Sequence, residues 1–110
     1  MNQDIDSTLA ALADPTRRGV IQRLRARPHR AGELADSFSM SRPAMSRHLR
    51  ILRRAGLVEE NDLEDDARVR LYRLRQERFL ELRAWLDDIE GFWTDQLEAF
   101  KEHVERSGSS

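Results

Sequence analysis

The sequence of 110 residues predicts a mainly α-helical fold that contains one small β-hairpin. Three observations support this fold class. Apolar residues recur at the spacing of an amphipathic helix along most of the chain. The period changes to two only within residues 57–74, as in half-buried strands. The length is that of one domain, and a domain this small is marginally stable unless a partner subunit helps.

Two helices are expected before residue 30. Leu9 and Leu12 indicate a short amphipathic helix near the N-terminus. Asp14 then has the carboxylate of a helix N-cap, and Pro15 fits the first helical position, where no amide donor is needed. This second helix should end just before Pro28, because a residue that precedes proline avoids helical geometry.

A short helix over residues 31–38, a tight turn at 39–41 and a helix over 42–55 follow. Ser41 is the candidate N-cap of the last of these helices, and Gly56 ends it as a glycine after the C-cap. The three segments form a helix-turn-helix unit, and we call the helix over 42–55 the recognition helix. Its core-facing residues are expected to be Met45, Leu49 and Leu52.

A β-hairpin is expected directly after this unit. A first strand starts at Leu57, residues 61–67 form the turn, and a second strand covers 68–74. Arg68 and Arg70 alternate with apolar residues and are expected on one face of the hairpin. The resulting order is four helices, two strands and a last helix, which is a winged helix-turn-helix fold.

One long helix is expected from about residue 76, followed by a flexible tail over 107–110. Eight apolar residues lie three or four positions apart along this helix, close to a heptad repeat. Such spacing is typical of a surface that packs against another helix. We call these residues the apolar stripe: Phe79, Leu82, Leu86, Ile89, Trp93, Leu97, Phe100 and Val104.

The formal net charge of −1 conceals a strong segregation of charge along the chain. Residues 15–54 hold eleven arginines and two acids, and residues 67–75 hold four arginines and no acid. The acids are concentrated in residues 1–14, 55–66 and 76–110. A run of charge is often only a solvated surface, but arginine is suited to bidentate contact with phosphate and guanine.

The arginines of the recognition helix lie opposite its core-facing residues, on the side that a helix-turn-helix unit turns to the major groove. Arg42, Ser46 and Arg47 are the candidates for contact with base edges, whereas Arg50 and Arg54 are candidates for phosphate contacts. Arg68 and Arg70 are expected to approach the minor groove or the DNA backbone. The predicted DNA-binding residues are Ser41, Arg42, Pro43, Ser46, Arg47, His48, Arg50, Arg54, Arg68 and Arg70.

Several side chains keep a structural interpretation beside the DNA-binding one. Ser41 caps the recognition helix whatever else it contacts. His48 lies beside core residues and is a packed or phosphate-bonded histidine rather than a metal ligand. Tyr72 is expected to pack the hairpin against the core rather than to stack on a base. Three arginines contact the DNA backbone or are merely solvated: Arg17, Arg18 and Arg30.

Composition excludes several classes of protein. The chain has no cysteine, which excludes disulfides, cysteine-ligated metal and a thiol nucleophile. No apolar run approaches the ~20 residues of a membrane span, and acids stand where a signal peptide carries bases. We therefore expect a soluble, cytoplasmic protein. There is no Ser/His/Asp set, glycine-rich phosphate loop or paired-carboxylate pocket, so neither an enzyme nor a cofactor is expected.

Four stretches of the sequence resemble the ArsR-type winged helix-turn-helix repressors: residues 11–18, 33–35, 41–58 and 68–74. The resemblance implies a homodimeric bacterial transcriptional repressor whose first and last helices form the dimer interface. It implies a palindromic operator in double-stranded DNA. The interface residues are then expected to be Leu9, Leu12, Phe79, Leu82, Leu86, Ile89, Trp93, Leu97 and Phe100.

The domain organisation that we expect from this resemblance is one winged helix-turn-helix domain over residues 1–106. Within it, residues 8–75 form the DNA-binding core and residues 76–106 the dimerisation helix. The chain departs from the family pattern at the hairpin tip, where Asp65 and Asp66 precede Ala67 and the position before the arginine commonly holds glycine.

Two other interpretations stay open. The chain is similar to a subgroup without cysteine metal sites, but a metal-responsive repressor with a non-cysteine site is an alternative. His103 is the single histidine among scattered acids on the last helix, so no metal site is assigned there. The second alternative is a protein-interaction module that binds partners through the apolar stripe. The sequence identifies no small-molecule or metal effector.

Overall fold

A computed structural model describes residues 3–63 and 66–108; the side chains of 3–4, 62–63 and 66–69 lie outside the description. Over these residues the chain forms five helices and one two-stranded antiparallel sheet. The elements are α1 (Gln3–Leu12), α2 (Pro15–Ala26), α3 (Ala31–Ser37), α4 (Arg42–Arg54), β1 (Val58–Leu63), β2 (Asp66–Leu74) and α5 (Glu77–Gly108). The predicted fold class, mainly α with a small hairpin in winged helix-turn-helix order, is confirmed.

The chain divides into two compact units. One unit ends at Leu80 and contains α1–α4 with the hairpin, and the other begins at Glu81 and consists of the remainder of α5. Among the described residues, those that form the hydrophobic core all belong to the first unit. These residues are Ala11, Val20, Leu24, Leu34, Ala35, Met45, Leu49, Leu52, Ala55, Leu57 and Val58.

Both ends of α4 have the local chemistry that the sequence predicts. The Ser41 hydroxyl oxygen accepts a hydrogen bond from the backbone N–H of Ala44 at 3.2 Å, which satisfies an amide that the helix itself leaves free. Gly56 has a φ of +78° after the last turn, a conformation that glycine adopts without strain. The Leu57 N–H then donates back to the Leu52 carbonyl oxygen at 3.0 Å and closes the helix. The recognition helix is thus fixed at each end.

The start of α2 also follows its sequence signal. One oxygen of Asp14 accepts a hydrogen bond from the backbone N–H of Arg17 at 3.0 Å, and Pro15 is the first helical residue. This hydrogen bond stabilises the ionised carboxylate and lowers the pKa of Asp14 below its usual range. The helix ends at Ala26, ahead of Pro28 as expected.

The hairpin is longer than predicted, and the expected turn over residues 61–67 is wrong. Asn61 pairs with Leu71, and Asp62 pairs with Arg70, so both residues belong to β1. Asn and Asp are depleted in strands because most strands are half-buried, which is why these residues suggested a turn. Backbone pairing rather than burial defines the strand here, and Asn61 is exposed.

A short extended segment before α3 joins the hairpin, a pairing that was not predicted from the sequence. His29 and Tyr72 form an isolated antiparallel bridge. The His29 N–H donates to the Tyr72 oxygen at 3.1 Å, and the Tyr72 N–H donates to the His29 oxygen at 2.8 Å. The ring of Tyr72 packs against the core, in agreement with its structural interpretation. The base of the hairpin is therefore held on both edges of β2.

Helix α5 has 32 residues and is about 48 Å long at 1.5 Å per residue. Over its described length no side chain is buried. Leu97 and Phe100 keep 65% and 66% of their surface exposed, and the other stripe residues from Leu86 onward are exposed as well. None of the helices in the described part of the chain is long and apolar enough to cross a membrane.

Candidate nucleic-acid interface

The outer face of α4 carries most of the predicted DNA-binding residues. Its inner face, with Met45, Leu49 and Leu52, is buried against α2 and α3. Helical geometry then turns the remaining side chains outward. The exposed residues along this face are Ser41, Arg42, Pro43, Ser46, Arg47, Arg50 and Arg54. The structure therefore brings together seven of the ten residues as one solvent-facing, arginine-rich surface.

Arg42 extends from the start of α4 across the start of α3. A Cβ atom placed on Gly32 would lie 2.7 Å from a terminal nitrogen of Arg42, closer than side chains approach one another. The guanidinium therefore occupies the space that a side chain at position 32 would fill. It borders an open cleft between α3, α4 and the hairpin, whose lining includes three arginines and three acids: Arg30, Glu33, Asp36, Arg42, Glu60 and Arg70.

The carboxylate of Glu33 makes contacts at the start of α3. One of its oxygens accepts a hydrogen bond from the Arg30 backbone N–H at 3.1 Å, and the other pairs with the Arg27 guanidinium at 3.1 Å. The Arg30 hydrogen bond first, and the Arg27 pair second, lower the pKa of Glu33. The carboxylate thus stabilises the start of α3.

His48 lies half-buried on the side of α4 that faces α2. Its Nδ1 atom lies 3.3 Å from a terminal nitrogen of Arg17. Nε2 remains the ring nitrogen that is available for a phosphate oxygen. The half-burial of His48 agrees with a packed histidine, and its contact with phosphate stays a prediction.

Arg17 and Arg18 have a structural role that local sequence patterns did not reveal. The Nε atom of Arg17 donates to the carbonyl oxygen of Ala11 at 2.7 Å, and a terminal nitrogen donates to that of Ala10 at 3.2 Å. Arg18 donates to the Leu12 oxygen at 2.8 Å. Both side chains thus cap the C-terminal end of α1, where carbonyl groups lack helical partners.

The hairpin contributes Arg70, whose guanidinium is held by Glu60. The Arg70 nitrogen lies 3.1 Å from one oxygen of Glu60, and a nitrogen of Arg53 lies 2.8 Å from the other. Glu60 and its pairing with two arginines were not predicted, because Arg53 and Arg70 lie 7 and 10 positions from Glu60 in the sequence. The side chain of Arg68, the other predicted hairpin contact, lies outside the described residues.

The predicted dimer residues fall into two groups. Leu12 and Phe79 are half-buried and pack against the core of the first unit. Leu82 is also half-buried. The others are exposed: Leu9, Leu86, Ile89, Trp93, Leu97 and Phe100. Within the described part of the chain, no three His, Cys, Asp or Glu side chains are grouped so as to hold a metal ion.

Comparison with known proteins agrees with this geometry. A helix-turn-helix domain family model matches residues 12–61. The chain is 36% identical over 103 residues to the HTH-type transcriptional regulator Rv2034 of Mycobacterium tuberculosis, covering 94% of this chain and 91% of that protein. An ArsR-like transcriptional regulator from Rhodococcus sp. RHA1 superposes with a TM-score of 0.80 at 29% identity, over 94% and 93% of the two chains. The chain belongs to the ArsR-type helix-turn-helix regulators.

A shorter match extends to the transcriptional repressor SdpR of Bacillus subtilis, with 33% identity over 57 residues, 52% of this chain and 63% of SdpR. As an ArsR-type regulator, the chain is a DNA-binding transcriptional regulator. The family and the DNA-binding function predicted from the sequence are thereby confirmed.

Proposed function

We propose that this ArsR-type regulator is a homodimeric repressor that binds a palindromic operator through α4 and the hairpin. The observation that carries the proposal is the exposed arginine face of α4, opposite a fully buried apolar face. A helix with this division of residues is stable in the fold and leaves its cationic side for the major groove. The name of SdpR supports repression as the outcome of binding.

Within this interface, Arg42, Ser46 and Arg47 read base edges, since they lie in the first turns of α4. Arg50 and Arg54, further along the helix, bind phosphates, and His48 offers its Nε2 atom to a phosphate oxygen. Ser41 and Pro43 approach the backbone at the helix start. Arg68 and Arg70 of the hairpin reach the adjacent groove or phosphates.

A second copy of this chain is the partner that we propose for the apolar stripe. Its exposed residues continue over several helical turns at heptad-like spacing, which suits packing against an identical helix. Leu9 and Leu12 of α1 complete the interface. Two-fold symmetry then presents two copies of α4, with half-sites ~34–36 Å apart or a multiple of that distance.

The remaining assignments follow from this role. Residues 8–75 act as the DNA-binding core of a domain over 1–106, and residues 76–106 act as the dimerisation helix. The protein works as a regulator without catalytic chemistry or a cofactor, in the cytoplasm where bacterial DNA is found. The competing outcome is that a different protein binds the apolar stripe. A chain that is monomeric and does not bind DNA at low salt would support it.

Selection of bound fragments from random DNA tests the proposal. We expect recovered fragments to share a palindrome, and affinity to fall with salt at a slope of about −0.9 per neutralised phosphate. Replacing Arg47 with alanine should cost ~1–3 kcal/mol of operator binding and relax base preference at one position of each half-site.

Arg106→Ala is the matched control. It removes the same charge as Arg47→Ala, and Arg106 lies outside both arginine-rich segments. Fluorescence anisotropy with operator and random duplexes measures both variants. If Arg47→Ala binds both duplexes as the parent does, Arg47 is not a base contact. If the parent itself selects no common sequence, the repressor proposal is wrong.

A further inference from the structure

Glu60 occupies an unusual position at the base of the hairpin. Its side chain is 11% exposed, and its two oxygens are shared between two arginines on different elements. Arg53 belongs to the last turn of α4, and Arg70 belongs to β2. One carboxylate from β1 therefore connects the recognition helix with both strands of the hairpin.

The surroundings of Glu60 hold it in place. Tyr72 is its direct cross-strand partner, so the phenol lies close to the carboxylate. Burial raises the pKa of Tyr72, and the charge of Glu60 raises it further, so the phenol stays protonated. The backbone of Tyr72 is itself fixed by its two hydrogen bonds to His29. Glu60 is thus an anchored anion, whereas its two arginine partners are exposed.

The two arginines that pair with Glu60 are accessible to a DNA phosphate. The side chains of Arg53 and Arg70 are 53% and 60% exposed, so solvent and a phosphate group have access to both. A carboxylate offers the same two-oxygen geometry as a phosphate to a guanidinium. The arginine side of each ion pair is open to solvent and can exchange partners, whereas the carboxylate is mostly buried and stays in place. Glu60 and a DNA phosphate are therefore competitors for the same cations.

We propose that Glu60 is a specificity-determining residue that occupies Arg53 and Arg70 as an internal substitute for phosphate. On random DNA these arginines stay paired with Glu60 and contribute little to the binding affinity. On the operator, docking of α4 brings phosphates close enough for the arginines to exchange partners, and Glu60 keeps the hairpin aligned with α4. The inference rests on the proposed DNA-binding role of α4 and the hairpin.

The test compares Glu60→Gln with Glu59→Gln. The two variants remove the same charge from adjacent positions of β1, but Glu59 faces Arg75 at 4.0 Å rather than Arg53 and Arg70. Relative to Glu59→Gln, Glu60→Gln should bind random duplex DNA about three- to tenfold more tightly, with a salt slope steeper by ~1 for each phosphate gained. Operator affinity should change less, so the ratio of operator to random affinity falls.

Arg70→Gln in the parent gives an independent measurement if Glu60→Gln does not fold, as judged by circular dichroism. An ordinary phosphate contact weakens binding about equally on all sequences. Here we expect less than about a twofold loss on random DNA and a larger loss on the operator.

Equal random-DNA affinity of Glu60→Gln and Glu59→Gln would overturn the role of Glu60. Equal losses on operator and random DNA in Arg70→Gln would overturn it too. A parent protein that binds no DNA would instead overturn the proposed function, so the two failures are distinguishable.

Discussion

The two units of the chain place their large apolar side chains in opposite environments. In the first unit, Leu49 and Leu52 are buried between helices, and the core accounts for the fold of α1–α4 with the hairpin. In the second unit, Leu97 and Phe100 project from α5 with about two thirds of their surface exposed. The difference shows that the first unit has a hydrophobic core of its own, whereas the apolar stripe of α5 is exposed and available to the partner that we propose for it.

The largest effect should come from the core. Leu49→Ala removes a fully buried side chain and leaves a cavity, which should lower the free energy of unfolding by ~2–5 kcal/mol. Leu97→Ala deletes the same atoms from an exposed position and should leave the free energy of unfolding nearly unchanged at protein concentrations where the chain is monomeric. Urea unfolding followed by circular dichroism measures both. Similar losses in the two variants would contradict the distinction between the units.

A charge placed in the apolar stripe tests the proposed dimer. Ile89→Asp introduces a charge into the middle of the apolar stripe, and we expect it to weaken self-association by at least 2 kcal/mol, or ~30-fold, as at an interface hot spot. Thr94→Asp adds the same charge to α5 at a position outside the stripe and serves as the control.

Analytical ultracentrifugation measures the dimer, and the operator assay described for Arg47 measures DNA binding. Loss of dimer should reduce operator affinity in Ile89→Asp and leave Thr94→Asp like the parent. A protein that is monomeric before substitution would mean that the stripe serves another partner.

A smaller effect separates the two roles of Ser41. Ser41→Ala removes the N-cap and should cost ~1 kcal/mol of stability. Ser41→Asp keeps a capping oxygen and should therefore be as stable as the parent. It also adds a negative charge to the proposed DNA face, so its DNA affinity should fall. If both variants lose only stability and bind DNA like the parent, Ser41 is a cap and not a DNA contact.

Local chemistry explains which parts of the fold could be predicted from sequence. Asp14, Ser41 and Gly56 act within three residues of the helix ends that they fix, and their signals are complete in a short window of sequence. The buried face of α4 was predictable for the same reason, since one period of apolar residues defines it.

The features that were missed depend on contacts between distant segments. Glu60 meets Arg53 and Arg70 only because β1 pairs with β2 beside the end of α4. The bridge between His29 and Tyr72 joins residues far apart in the chain, and no sequence pattern near either residue predicts it. The length of the hairpin was underestimated because polar residues such as Asn61 pair through their backbones and need no buried face.

The contacts of Arg17 connect α1 with the recognition helix. Its guanidinium binds two carbonyl oxygens at the end of α1 and also contacts His48 in the middle of α4. A movement of α1 relative to α4 must therefore break or stretch at least one of these contacts. If α1 lies at the boundary between subunits, Arg17 links the tilt of the recognition helix to the spacing of the two subunits.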